Sequence, residues 1–94
     1  MNASDILKEL GLGADAVTGG DLAVFSPIDG AEIARVHSHS TSDLDQKIAR
    51  SVAAFDAWRQ VPAPRRGESV RIFGEVLREN KDALGRLVTL ECGK

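Results

Sequence analysis

The sequence predicts a mixed α+β chain: an N-terminal helix, a β-hairpin and then three packed helices. Three observations predict it. Apolar residues recur at steps of three and four across Leu44–Trp58, Val70–Leu77 and Leu84–Val88, the spacing of one helix face. Between residues 22 and 36 the spacing falls to two on either side of Pro27-Ile28-Asp29-Gly30. The run Trp58-Arg-Gln-Val-Pro-Ala-Pro-Arg-Arg-Gly-Glu68 holds the only tryptophan and two of the three prolines, and joins two amphipathic patterns.

Each element follows from local chemistry. Ser4-Asp5 predicts a helix start, because either side chain accepts from the free amides of a first turn. Ile6, Leu7 and Leu10 form its apolar stripe, and Gly11 ends it. Residues 11–20, rich in Gly, Asp, Ala and Thr, predict a connector. The hairpin spans about residues 21–37, with its turn at Pro27–Gly30. Its first strand carries apolar groups on both faces, which predicts cover on both sides. Ile33 and Val36 of the second strand face inward.

A helix over about 42–60 begins at a capping box of Ser42 and Asp45. Leu44, Ile48, Val52, Phe55 and Trp58 give it one stripe, and Pro62 stops it by biasing Val61 out of the α region. The next helix, about 63–80, tolerates Pro64 in its first turn, where the missing N–H has no partner to lose. Val70, Phe73 and Leu77 lie on one side, widened by Ile72 and Val76. Gly67 and Gly74 flank that side and leave room for another backbone. Glu68, Arg71, Glu75 and Arg78 form an exposed charged ladder. Asn80 to Asp82 interrupts the chain, and Leu84, Leu87 and Val88 carry a last helix over about 81–92, closed by Gly93.

Composition excludes several classes. Ninety-four residues hold one domain at most, or part of a larger one. A net charge of −2 offers no field for nucleic acid or anionic membrane. A single cysteine, Cys92, rules out an internal disulfide and fits a reducing compartment. No apolar run reaches membrane-spanning or signal-peptide length, so the expected location is the cytoplasm, with no membrane and no nucleic-acid partner.

The motifs that resemble catalytic devices fail on context. Gly11-Leu-Gly-Ala-Asp-Ala16 matches G-x-G-x-x-A, but a dinucleotide cradle must follow a strand and open a helix. Gly93-Lys94 lacks the glycine that a P-loop needs five residues earlier. His37 and His39 share a strand face, yet Cys92, far along the chain, is the one further soft ligand, short of the four a closed structural zinc site takes. Cys92 near a helix C-terminus meets the wrong end of the dipole for a thiolate. Arg65-Arg66 can meet a carboxylate elsewhere, though such a pair at a helix start is ordinarily solvated. The expected assignment on this chain is therefore no catalytic, cofactor-binding or metal residue.

Two features predict an unfinished fold: a hairpin of only two strands is marginal alone, and the helix after Pro64 is apolar over more than two helical neighbours need. A small self-contained helical bundle with an attached hairpin is the other reading, acting as a free-standing protein-interaction module.

One resemblance decides between them. Ala54-Phe55, Trp58-Arg59, Pro62, Arg66 and the closing Glu91-Cys92-Gly93-Lys94 resemble the N-terminal region of the aldehyde dehydrogenase superfamily, as does Ser26-Pro27-Ile28-Asp29-Gly30 with Ile33-Ala34. The run Val61-Pro-Ala-Pro-Arg-Arg-Gly-Glu68 with Val70-Arg71 is similar to the antiquitin-type branch, which oxidises α-aminoadipic semialdehyde (in equilibrium with piperideine-6-carboxylate) in lysine catabolism. The resemblance spans about Leu22 to Lys94. Ser26, Ala31 and Cys92 depart from the residues common in relatives, at positions without chemical roles.

The resemblance implies an α+β fragment of a larger α/β enzyme. Residues 1–20 would be a helix and connector, and 21–94 an incomplete N-terminal part of the cofactor-binding domain. It implies a parent that uses NAD or NADP, assembles as a homo-oligomer (a tetramer), and has this segment's partner in the remainder of its own chain. The family's nucleophilic cysteine, its glutamate base, the oxyanion-binding asparagine and the cofactor loops all lie beyond the positions matched here. This segment would then bind no cofactor and be inactive alone.

Overall fold

The computed structural model describes residues 2–94. The elements run α1 (Ala3–Glu9), α2 (Ala14–Val17), β1 (Leu22–Phe25), β2 (Glu32–Val36), α3 (Thr41–Trp58), α4 (Ala63–Glu79) and α5 (Lys81–Cys92). They fall into two units: the chain up to Ser38 together with Glu79–Lys94, and the segment His39–Arg78.

The first unit holds what core there is. α1 starts two residues earlier than a Ser4 cap would set it, because the Asn2 side chain is the cap and accepts from the Ser4 amide at 2.9 Å. Asp5 then sits in the first turn, where the helix dipole favours a negative charge. The helix closes with the Gly11 amide on the Lys8 carbonyl and the Leu12 amide on the Leu7 carbonyl, both 2.9 Å. This paired closure needs a left-handed residue, and Gly11 supplies it at φ 80°. α1 packs on α5, burying Ile6, Leu7, Ala83 and Leu90 between them. Arg86 of α5 reaches Glu9 of α1 at 2.6 Å across that contact.

The connector over residues 11–20 is not wholly irregular. It contains α2, a single turn whose end is held by the Thr18 hydroxyl on the Ala14 carbonyl at 2.7 Å. Four residues are too few to leave a periodic signature in sequence.

The hairpin is antiparallel, pairing Leu22 with Val36, Ala23 with Arg35 and Val24 with Ala34. The register then shifts, so that Phe25 opposes Glu32. The turn between them is tied at several points. The Ser26 amide donates to Ala31 and its carbonyl accepts from Gly30, while its hydroxyl accepts from Ile28. The Asp29 carboxylate accepts from the Ala31 amide at 2.9 Å. Ser26 is 3% exposed, and these bonds satisfy it. The open end of the hairpin is tied by Asp21, whose carboxylate accepts from the Ser38 amide at 2.7 Å. Among the described residues the two-sided cover expected of β1 is not found: Leu22 and Phe25 are 54% and 55% exposed, and the helices that pack on the hairpin, α1 and α2, meet it at β2.

The second unit is a helical pair. The cap of α3 lies two residues before the expected one. Ser40 and Asp43 form the capping box, with the Asp43 amide on the Ser40 hydroxyl at 3.1 Å and the Ser40 amide on the Asp43 carboxylate at 3.0 Å. Ser42 and Asp45 are therefore inside the helix. α3 ends at Trp58 and the Pro62 carbonyl receives the Arg65 and Arg66 amides, which opens α4 with Pro64 in its first turn. Packing among the three long helices is thus uneven. α5 contributes to the core, whereas neither α3 nor α4 buries a residue.

Candidate functional site

The most chemically distinct surface of this chain is apolar. On α3 the stripe is Leu44, Ile48, Val52, Phe55 and Trp58, each 45% to 59% exposed. Near its C-terminal end Ala54 and Ala57 lie low beside Phe55 and Trp58, and with Ser51 and Val61 they form an open, almost wholly apolar hollow. The Arg59 guanidinium stands 5.9 Å from the centre of the Phe55 ring, a cation–π arrangement that orients the ring.

On α4 the apolar side carries Val70 at 69% exposure, Phe73 at 62% and Leu77 at 45%. Its polar side is an ion ladder: Arg71 meets Glu68 at 2.8 Å and Glu75 at 3.7 Å, and Arg78 meets Glu75 at 3.3 Å. The hydrogen bond from Arg71 holds the Glu68 carboxyl below its ordinary range, and Glu68 in turn raises Arg71. The ladder keeps that side in water, so the apolar side is the one available for a contact. Soluble monomers rarely leave contiguous apolar surface of this kind uncovered, and such surface is a mark of an interaction or binding face. Beside it, the Arg66 Nε is screened from solvent without a hydrogen-bond acceptor.

The residues considered for chemistry are placed as follows. Gly11 and Gly13 follow α1 and precede the four-residue α2, so no strand delivers them and no long helix receives a phosphate. The Gly11–Ala16 stretch therefore lacks the strand-to-helix setting of a dinucleotide cradle. His37 and His39 are both exposed, and the boundary between the two units falls between them. Cys92 is a free, exposed thiol in the last position of α5. Among the described residues no group of three or more His, Cys, Asp or Glu side chains is gathered closely enough to hold a metal. Among the described residues no helix is long and apolar enough to cross a membrane.

Two perturbed carboxylates are structural. Asp21 lies below its ordinary value of 3.8, first through the Ser38 amide, then the Ser38 hydroxyl, with the His37 charge a smaller cause. Asp43 lies below the same value through the Ser40 amide and hydroxyl. Sequence reasoning found the stripe residues but missed the hollow that Ala54, Ala57 and Val61 shape around Phe55 and Trp58. The small residues one turn apart beside two aromatics were the available signal.

Comparison with known proteins adds an independent line. The model of the Aldehyde dehydrogenase family matches residues 15–94. The α-aminoadipic semialdehyde dehydrogenase of Rattus norvegicus is 42% identical over 73 residues, 78% of this chain and 14% of the relative. That of Bos taurus is 40% identical over 97 aligned positions, 94% of this chain and 18% of the relative. Malonate-semialdehyde dehydrogenase 3 of Geobacillus kaustophilus is 39% identical over 79 residues, 84% of this chain and 16% of the relative. The chain therefore spans less than a fifth of the length of these relatives.

Proposed function

The chain belongs to the aldehyde dehydrogenase family, and on that premise we propose that it works as part of a longer enzyme that oxidises α-aminoadipic semialdehyde to the carboxylic acid. The observation that carries the substrate is the identity to proteins bearing that name, 40% and 42% over most of this chain. NAD or NADP accepts the hydride in such an enzyme. In this reading the residues that hold that cofactor and carry the chemical step belong to the remainder of the enzyme, and those of this chain take no part in it.

Their part is to build the scaffold. α3 and α4 present the Phe55–Trp58 hollow and the Val70, Phe73, Leu77 side to the remainder of the enzyme, which covers them. Covering large apolar side chains is favourable by about 25 cal/mol per Å² removed from water, so faces this exposed are a strong drive for docking. Residues 1–20 form a helix and connector outside the cofactor domain, and residues 21–94 form its first part. The assembled enzyme is a cytoplasmic homo-oligomer.

The experiment is to purify from its native cells the polypeptide that contains this sequence, weigh it intact, and assay it. The expected result is a species several times heavier than 10.0 kDa that reduces NAD or NADP with α-aminoadipic semialdehyde faster than with malonate semialdehyde. Preference for malonate semialdehyde would overturn the substrate. A stable, inert species of 10.0 kDa would overturn the enzyme reading and favour a free-standing module that binds a partner through the Val70, Phe73, Leu77 side.

A further inference from the structure

We draw no further inference here: the strongest candidate, the apolar hollow at the C-terminal end of α3 lined by Phe55, Trp58 and Val61, belongs to the docking role already proposed, and nothing in the structure shows what covers it.

Discussion

Gly20 is where a single added methyl group would do most damage. A Cβ there would overlap the Val36 carbonyl and the His37 amide nitrogen. Overpacking of this kind costs about 1–3 kcal/mol. Gly20→Ala is therefore expected to speed amide exchange at Val24 and Ala34 by about tenfold or more, relative to the unaltered chain. Unchanged exchange would mean the strand end yields freely. The neighbouring Asp21 gives the hairpin a pH dependence. Its carboxyl is held below 3.8, chiefly by the Ser38 amide. A carboxyl depressed in the folded state contributes fully above its unfolded value and loses that contribution as pH falls through its folded value. The Ser38 amide resonance should therefore titrate below pH 3.8, and Asp21→Asn should abolish the titration. Neither contact was legible in the sequence. Gly20 meets residues sixteen and seventeen positions away, and Asp21 meets one seventeen away; local pattern carries no record of either.

The long helices were legible at the scale of elements because their period repeats over about three to five turns and prolines separate α3 from α4. The start of α3 was not. Ser40 with Asp43 and Ser42 with Asp45 have the same spacing, and both suit a capping box. The chain uses the earlier pair, which adds two residues to the hydrogen-bonded helix. Ser40→Ala is expected to cost about 1 kcal/mol and to unprotect the Asp43 and Leu44 amides. Ser42→Ala should leave them protected, and the reverse ranking would relocate the cap. Gly74 of α4 and Gly85 of α5 have open space where a Cβ would stand. Alanine at either position should stabilise its helix by about 0.4–1 kcal/mol, read from denaturant midpoints. In the complete enzyme Gly74→Ala should lose that gain, because the proposed partner packs on α4.

For the whole molecule, exposure of the α3 and α4 apolar sides makes a clear distinction between the chain alone and the chain in its enzyme. Trp58 is 45% exposed, so its emission in the isolated chain should lie to the red and be open to quenching by iodide or acrylamide. In the complete enzyme the emission should move to the blue and the quenching should fall. Phe73, 62% exposed, supplies the mutational counterpart. Phe73→Asp should change the stability of the isolated chain by no more than about 0.5 kcal/mol, as surface substitutions do. The same change should cost the complete enzyme about 3 kcal/mol or more, through loss of the buried ring and burial of a charge. Equal effects in the two settings would sink the docking role. The apolar stripes behind this prediction were visible in sequence, and the width of the one on α4 already predicted an unfinished fold, though not how much of the α3 stripe would be left uncovered. Amphipathic period shows which side seeks cover without showing whether cover is present.

The pairing of α1 with α5 sets an order of assembly. Glu9 and Arg86 meet from 77 positions apart, and Ile6 and Leu7 share a core with Ala83 and Leu90. On the ribosome, α1 emerges first and can meet β2 early, but its larger partner is missing until α5 has cleared the exit tunnel. Meanwhile α3 and α4 acquire their helical hydrogen bonds without it, since these are local. A nascent chain stalled before Ala83 would thus carry helices but only part of this core, with the α5-facing side of Ile6 and Leu7 still accessible to chaperones.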